Sequence, residues 1–196
     1  MQFFDSHAHL DDEKFDKDRE QVIEEIKESD TSNFISAGYS LEGSKKAIEL
    51  AHKYPFIYAT CGISPNDIPQ SEEMLWKDIE ELIKIIEKEI NFQDDKKDFG
   101  KIVAIGEIGL DYYWEKNQEM RDLQKKAFIK QIEIANKYNL PIVIHVRDAI
   151  MDVLEILKNN EVKRKGVFHC CPQNRELIKE ALKLGFYISF ARTNYF

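Results

Sequence analysis

Apolar residues along this chain gather in short runs, separated by longer stretches in which they recur every three to four positions. The runs are Phe3–His7, Phe34–Ala37, Phe56–Cys61, Ile102–Glu107, Pro141–Val146, Val167–His169 and Phe186–Phe190. They are brief, rich in β-branched and aromatic side chains, and do not alternate strictly with polar residues. That is the pattern of parallel strands buried on both faces. Between them, amphipathic spacing predicts helices over about 16–29, 42–53, 71–92, 119–138, 148–158 and 173–184. Phe128, Ile132 and Ala135 carry the i, i+3, i+4 spacing in one of these, and Gly185 marks a helix stop after Leu184. The polar stretch Asn91–Gly100 reads as a surface loop, and no linker, low-complexity segment or close repeat interrupts the pattern.

Strand–helix alternation through the whole chain predicts an α/β fold with a parallel sheet. Seven strand candidates separated by helices suit a barrel better than an open sheet. In a barrel, chemistry gathers at the C-terminal ends of the strands. Length changes little at first: 196 residues suit one domain with a sizeable core. The composition, 43% hydrophobic and 33% charged, excludes a disordered, collagen-like or membrane-embedded chain.

Charge sharpens the choice of partner. There are 28 basic and 36 acidic residues, a net charge of −8. Such a balance argues against a duplex reader that relies on a basic face, yet allows nucleic acid as a substrate where metal ions supply positive charge. The acid excess lies in 1–30 and 71–100 on helical periodicity, where it reads as solvated helix faces, and 161–196 is net basic. No basic and apolar leader opens the chain and no run is long enough to span a membrane, so the expectation is a cytoplasmic protein. Cys61, Cys170 and Cys171 read as reduced thiols, and no CxxC pair suggests a thiolate zinc site.

Four of the five histidines fall at the C-terminal ends of strand candidates. His7 and His9 form an HxH pair, and residues i and i+2 of a strand face the same side, so both imidazoles can reach one ion. His145 ends Pro141-Ile142-Val143-Ile144-His145, His169 ends Gly166-Val167-Phe168-His169, and Glu107 ends Ile102-Val103-Ala104-Ile105-Gly106-Glu107. Each alone has a plain explanation, as a core histidine or a loop-capping carboxylate. All five on one rim of one sheet is a different matter, and imidazoles with one carboxylate suit Zn, Mn or Mg-like hydrolytic ions. His52 lies in a helical stretch and takes no metal role.

The ordered set resembles the TatD family of metal-dependent deoxyribonucleases, (β/α)8 TIM-barrel enzymes of the amidohydrolase superfamily. The residues that carry the likeness are Asp5 with His7-Ala8-His9-Leu10, then Gly106-Glu107-Ile108-Gly109-Leu110-Asp111-Tyr112, Pro141–Arg147 and Phe168-His169-Cys170. It extends to about Ala191. The resemblance implies two divalent metal ions (Mg, Mn or Zn), one on His7 and His9, the second on His145 and His169, with Glu107 bridging them and central to catalysis. It implies hydrolysis of a DNA phosphodiester by a metal-activated water, with single-stranded DNA or 3′ ends as the partner. Arg147 suits a phosphate through its planar fork. Asp111 and Tyr112 would order Glu107 or contact substrate, Gly106 and Gly109 permit a tight backbone path, and Gln124 and Gln131 look structural.

Two departures from the family pattern stand out. Ser64, in Gly62-Ile63-Ser64-Pro65-Asn66-Asp67, occupies a position where many members carry histidine; it can donate a hydrogen bond to a phosphate but cannot do an imidazole's proton work. The family's last-strand Glu-Thr-Asp motif has no counterpart. The expected fold is therefore an incomplete TIM barrel in a single domain, 1–196, truncated at the C-terminus, with seven of eight strands and the last strand and its helices missing. The closing Ala191-Arg192-Thr193-Asn194-Tyr195-Phe196 fits a one-base frameshift of the family's text. The expected activity is DNA hydrolysis impaired by loss of the last-strand aspartate. The alternatives are a metal-dependent amidohydrolase acting on a small amide or ester, and an inactive fragment.

Overall fold

The computed structural model describes residues 2–96 and 100–190. Seven strands form one sheet in the order β1-β2-β3-β4-β5-β6-β7, every neighbouring pair parallel. They are β1 (Phe3–Ala8), β2 (Thr31–Ala37), β3 (Ile57–Cys61), β4 (Ile102–Asp111), β5 (Ile142–Arg147), β6 (Val167–Phe168) and β7 (Tyr187–Ile188). Six α-helices alternate with them: α1 (Arg19–Glu28), α2 (Leu41–Lys53), α3 (Glu72–Lys96), α4 (Gln118–Lys137), α5 (Ile150–Asn159) and α6 (Arg175–Lys183). Sequential parallel order with a helix in each crossover is the winding of a (β/α) barrel, here over seven strands. No described helix is long and apolar enough to cross a membrane.

The helices begin where short polar side chains can take up the first free amides. Ser40 accepts from Gly43 N at the start of α2, Asn117 from Glu119 N at α4, and Asn174 from Leu177 N at α6. At the end of α6, Gly185 takes φ +86°, and the Phe186 amide returns to Ala181 O at 3.0 Å, so the predicted stop is a glycine in the left-handed region. Phe34, Ile57, Ile105, Ile108, Phe128, Ile144 and Phe168 are wholly buried between sheet and helices. Each such side chain contributes about 1.5–3 kcal/mol on burial. The end strands differ: Phe3, Phe4 and Tyr187 are exposed, and among the described residues nothing pairs with the outer edge of β1 or β7.

Two boundaries depart from the pattern reading. The stretch expected as a loop from Asn91 continues α3 through Lys96, and residues 97–99 of it lie outside the described residues. β4 does not end at Glu107. It runs on to Asp111, with a register shift against β5 between Ile105 and Ile108. Ile108 and Leu110 are fully buried, which is why the strand continues through a sequence with two glycines. Glu107 therefore sits within a strand at an irregularity, and its amide donates to Gly38 O, just past β2, at 2.7 Å.

Candidate metal centre

The site lies where β1, β4, β5 and β6 end or break. His9 follows β1 by one residue, His169 follows β6, and His145 sits two residues before the end of β5. These positions bring together the four histidines and the carboxylate expected from the sequence. Glu107 Oε1 lies 3.2 Å from His7 Nε2 and makes a close contact with His169 Nε2. His7 Nε2 and His9 Nε2 are 3.1 Å apart, and His145 Nδ1 is 3.3 Å from His169 Nε2. The His7 and His169 rings stack at 4.1 Å between centroids. Two groups of three could hold a cation, His7–His9–Glu107 and Glu107–His145–His169, with donor atoms within 4.8 Å of one another, and Glu107 belongs to both.

The outer faces of two imidazoles decide which nitrogens are free. His9 Nδ1 points at the Ala37 carbonyl at 3.1 Å, and His145 Nε2 at Asp111 Oδ2 at 3.0 Å. Both partners only accept, so the protons belong on those nitrogens. His9 Nε2 and His145 Nδ1 are then left as lone pairs facing the cluster. Burial, the largest influence, pushes the pKa of His169 down despite Glu107 beside it, which favours the neutral imidazole a cation needs. Burial alone would raise Glu107. The hydrogen bonds of His169 and His7, with their charge, outweigh it and hold the carboxyl well below the usual carboxylate range. Imidazole nitrogens gathered around an ionised, 7% exposed carboxylate fit a divalent metal ion.

Asp111 has a role that its sequence position does not reveal. It does not touch Glu107. One oxygen accepts from His145 Nε2 and from Asn66 Nδ2 at 3.3 Å; the other accepts the Tyr113 and Trp114 amides at 3.0 and 3.1 Å. Burial works to raise its pKa, but the His145 bond and the other donors win and lower it. Tyr112 turns away, its hydroxyl donating to Asp152 at 2.7 Å. Gln124 accepts from Asp111 N at 3.0 Å and donates to Pro65 O at 3.1 Å; Gln131 clasps Ile63 through both its backbone groups. Both glutamines brace the rim from α4.

Ser64 is 4% exposed and its hydroxyl donates to Asp67 Oδ2 at 2.6 Å, while also accepting from Asn66 N. Asp67, which the sequence reading passed over, has its pKa raised mainly by burial, with the Ser64 bond opposing and the Glu107 charge adding to the rise. Arg147, on the last residue of β5, is exposed, and its guanidinium lies 3.8 Å above the Tyr113 ring. A cavity of about 1080 Å³ opens here, lined among others by His145, Arg147, His169 and Cys170. His52 lies away from the cluster, bonded to Glu89 at 2.8 Å.

A parallel sheet in sequential order, with imidazoles and one carboxylate gathered at its strand ends, is the build of a metal-dependent hydrolase. The chain belongs to the TatD related DNase family, whose model matches residues 4–196. It is 37% identical over 188 residues to the uncharacterized metal-dependent hydrolase YabD of Bacillus subtilis, covering 95% of this chain and 68% of that one. It is 30% identical over 186 residues to the 3′-5′ ssDNA/RNA exonuclease TatD of Escherichia fergusonii, covering 94% and 65%. Among solved structures, the TatD homolog YJJV from Escherichia coli matches with a TM-score of 0.81 and 25% identity over 95% of this chain and 66% of that one. The chain thus spans about two thirds of the length of these relatives.

Proposed function

We propose that this chain hydrolyses phosphodiester bonds in DNA, taking an unpaired strand or a 3′ end, with two divalent cations of the Mg, Mn or Zn kind held by the histidine–carboxylate cluster. His7, His9 and Glu107 would hold one, and Glu107, His145 and His169 the other. The observation that carries the reading is that Glu107 belongs to both groups while Asp111 and the Ala37 carbonyl turn two free imidazole nitrogens inward. When bound, such ions draw charge from a phosphoryl oxygen and make a water acidic near neutral pH.

The chain's own residues do the rest. Glu107, kept ionised, orients the attacking water with its negative charge. The water oxygen forms a bond to phosphorus as the P–O bond to the leaving nucleotide breaks, in line, and the proton the water gives up is balanced by the one the departing oxygen takes from solvent. Arg147 grips a phosphate with its planar fork beside His145. Ser64 reaches substrate by exchanging its bond to Asp67 for one to a phosphate oxygen. Asp111 acts through His145.

The test is thermal unfolding with and without Mn²⁺ alongside cleavage of an end-labelled single-stranded oligonucleotide. Manganese raises Tm, and Glu107→Gln or His169→Ala removes that rise together with cleavage. Turnover of a small ester and amide panel without DNA cleavage would favour the amidohydrolase alternative. An unchanged Tm at millimolar Mn²⁺ would remove the metal assignment.

A further inference from the structure

Two large aromatic rings stand exposed beside the cluster with no packing duty in the core. Trp114 is 66% exposed and Tyr113 is 43% exposed. They follow directly on β4, and both their amides are pinned by Asp111 Oδ1, so the turn that presents them is fixed by the carboxylate that also holds His145. The rings meet edge to face at 4.7 Å. Arg147 lies 3.8 Å over Tyr113 and 5.5 Å from Trp114. The cation is thus shared between an aromatic platform and the cavity that His145 and His169 line.

We propose that Trp114, backed by Tyr113, is a stacking platform for one unpaired nucleobase of the substrate strand, with Arg147 on the adjoining phosphate. The inference rests on the nuclease reading of the site and adds the base-binding element that reading lacks. Exposure of an indole costs free energy unless something apolar covers it, and the flat, partly polar face of a base suits a ring rimmed by a guanidinium. A base stacked in this way must be out of a duplex, which agrees with a net charge of −8 that offers no broad basic track for double-stranded DNA. Stacking also tolerates any base, so the platform predicts strand selectivity without sequence preference.

The test uses fluorescence. Trp76→Phe leaves Trp114 as the single tryptophan of the two in the chain. The full-length variant is titrated, with metal present, with a phosphorothioate-linked eight-residue oligothymidylate and with an abasic oligomer of the same length and charge. Expected are strong quenching of Trp114 by the base-bearing oligomer, no quenching by the abasic one, and affinity for the former higher by at least about fivefold. Trp114→Ala, in the otherwise unaltered chain, removes that preference while affinity for the abasic oligomer stays within twofold. Binding of both oligomers with equal affinity and no quenching overturns the platform but leaves the nuclease reading standing. Binding of neither, with no cleavage of single-stranded DNA, overturns both. A blue shift of Trp114 emission that grows with protein concentration alone assigns the ring to a second copy of the chain and overturns the proposal.

Discussion

Asp111 Oδ2 accepts a hydrogen bond from His145 Nε2 at 3.0 Å and so decides which nitrogen of that imidazole faces the site. An acceptor on the outer nitrogen keeps the ring in one tautomer and one orientation, and a carboxylate also makes the inner nitrogen more basic. Asp111→Asn retains the shape and removes the charge. It is expected to weaken Mn²⁺ affinity ten- to hundredfold, read as the shift in the metal concentration that gives half the Tm rise. Equal affinity in the two proteins would show that His145 needs no such support. The depressed Asp111 pKa also has a sign: its stabilisation is present above the ordinary 3.8 and fades as pH falls through the lower folded value, so the variant flattens the acid limb of the stability curve.

Gly109 separates steric necessity from mere preference. Its φ is +145°, and a Cβ there would lie 2.0 Å from the His145 carbonyl oxygen, backbone that cannot move without parting β4 from β5. Gly109→Ala should cost at least about 3 kcal/mol, a fall in Tm of roughly 10 °C. Gly185→Ala is the contrast: φ is +86°, but the nearest atom is the Lys165 Cγ at 3.5 Å, and about 1 kcal/mol is expected. Similar losses in differential scanning calorimetry would refute the steric account.

Gln131 is wholly buried, accepting from Ile63 N at 2.8 Å and donating to Ile63 O at 3.0 Å. Gln131→Met keeps the volume and strands both backbone groups. Chemical denaturation should show a loss of about 2 kcal/mol or more with the slope unchanged. A loss under half of that would mean water or a shifted neighbour replaces the amide.

The three thiols should separate cleanly. Burial pushes Cys61 up to about 12 and Cys171 to about 11, while Cys170 is exposed. At pH 8 a disulfide reagent should titrate Cys170 quickly, Cys171 slowly and Cys61 only on unfolding, since the thiolate is the nucleophile. A raised pKa means that the fold prefers the protonated thiol. Its stabilisation is full below the ordinary 9.0 of a thiol and is lost as pH climbs toward about 12. Prompt reaction of all three at pH 8 would contradict the packing.

The strands and most of the cluster are legible in the sequence because both follow from local pattern. His145 and His169 end apolar runs, and the HxH pair needs only strand periodicity to put two rings on one ion. What the sequence hides is set by register. Asp111 meets His145 only because β4 slips against β5 between Ile105 and Ile108 and then continues four buried residues past the predicted end at Glu107. The Ser64–Asp67 bond and the Asn66 contact depend on how a short 3-10 turn packs under Gln124, which no spacing encodes. The helical start of the stretch expected as a loop from Asn91 is hidden for another reason: its residues are mostly polar, yet they extend α3 to Lys96.

Asp111 has one oxygen on His145 and the other on the aromatic turn, so the two occupancies proposed for these elements would depend on each other. A cation held at His145 Nδ1, as proposed, would polarise the Nε2 hydrogen and tighten its bond to Asp111, and so would firm the turn that carries Tyr113 and Trp114. Whatever factor the cation then adds to the hold on a nucleic-acid strand, the strand must add to the hold on the cation. On the proposed reading, a metal requirement measured on the free protein would therefore exceed the one measured with a strand end seated.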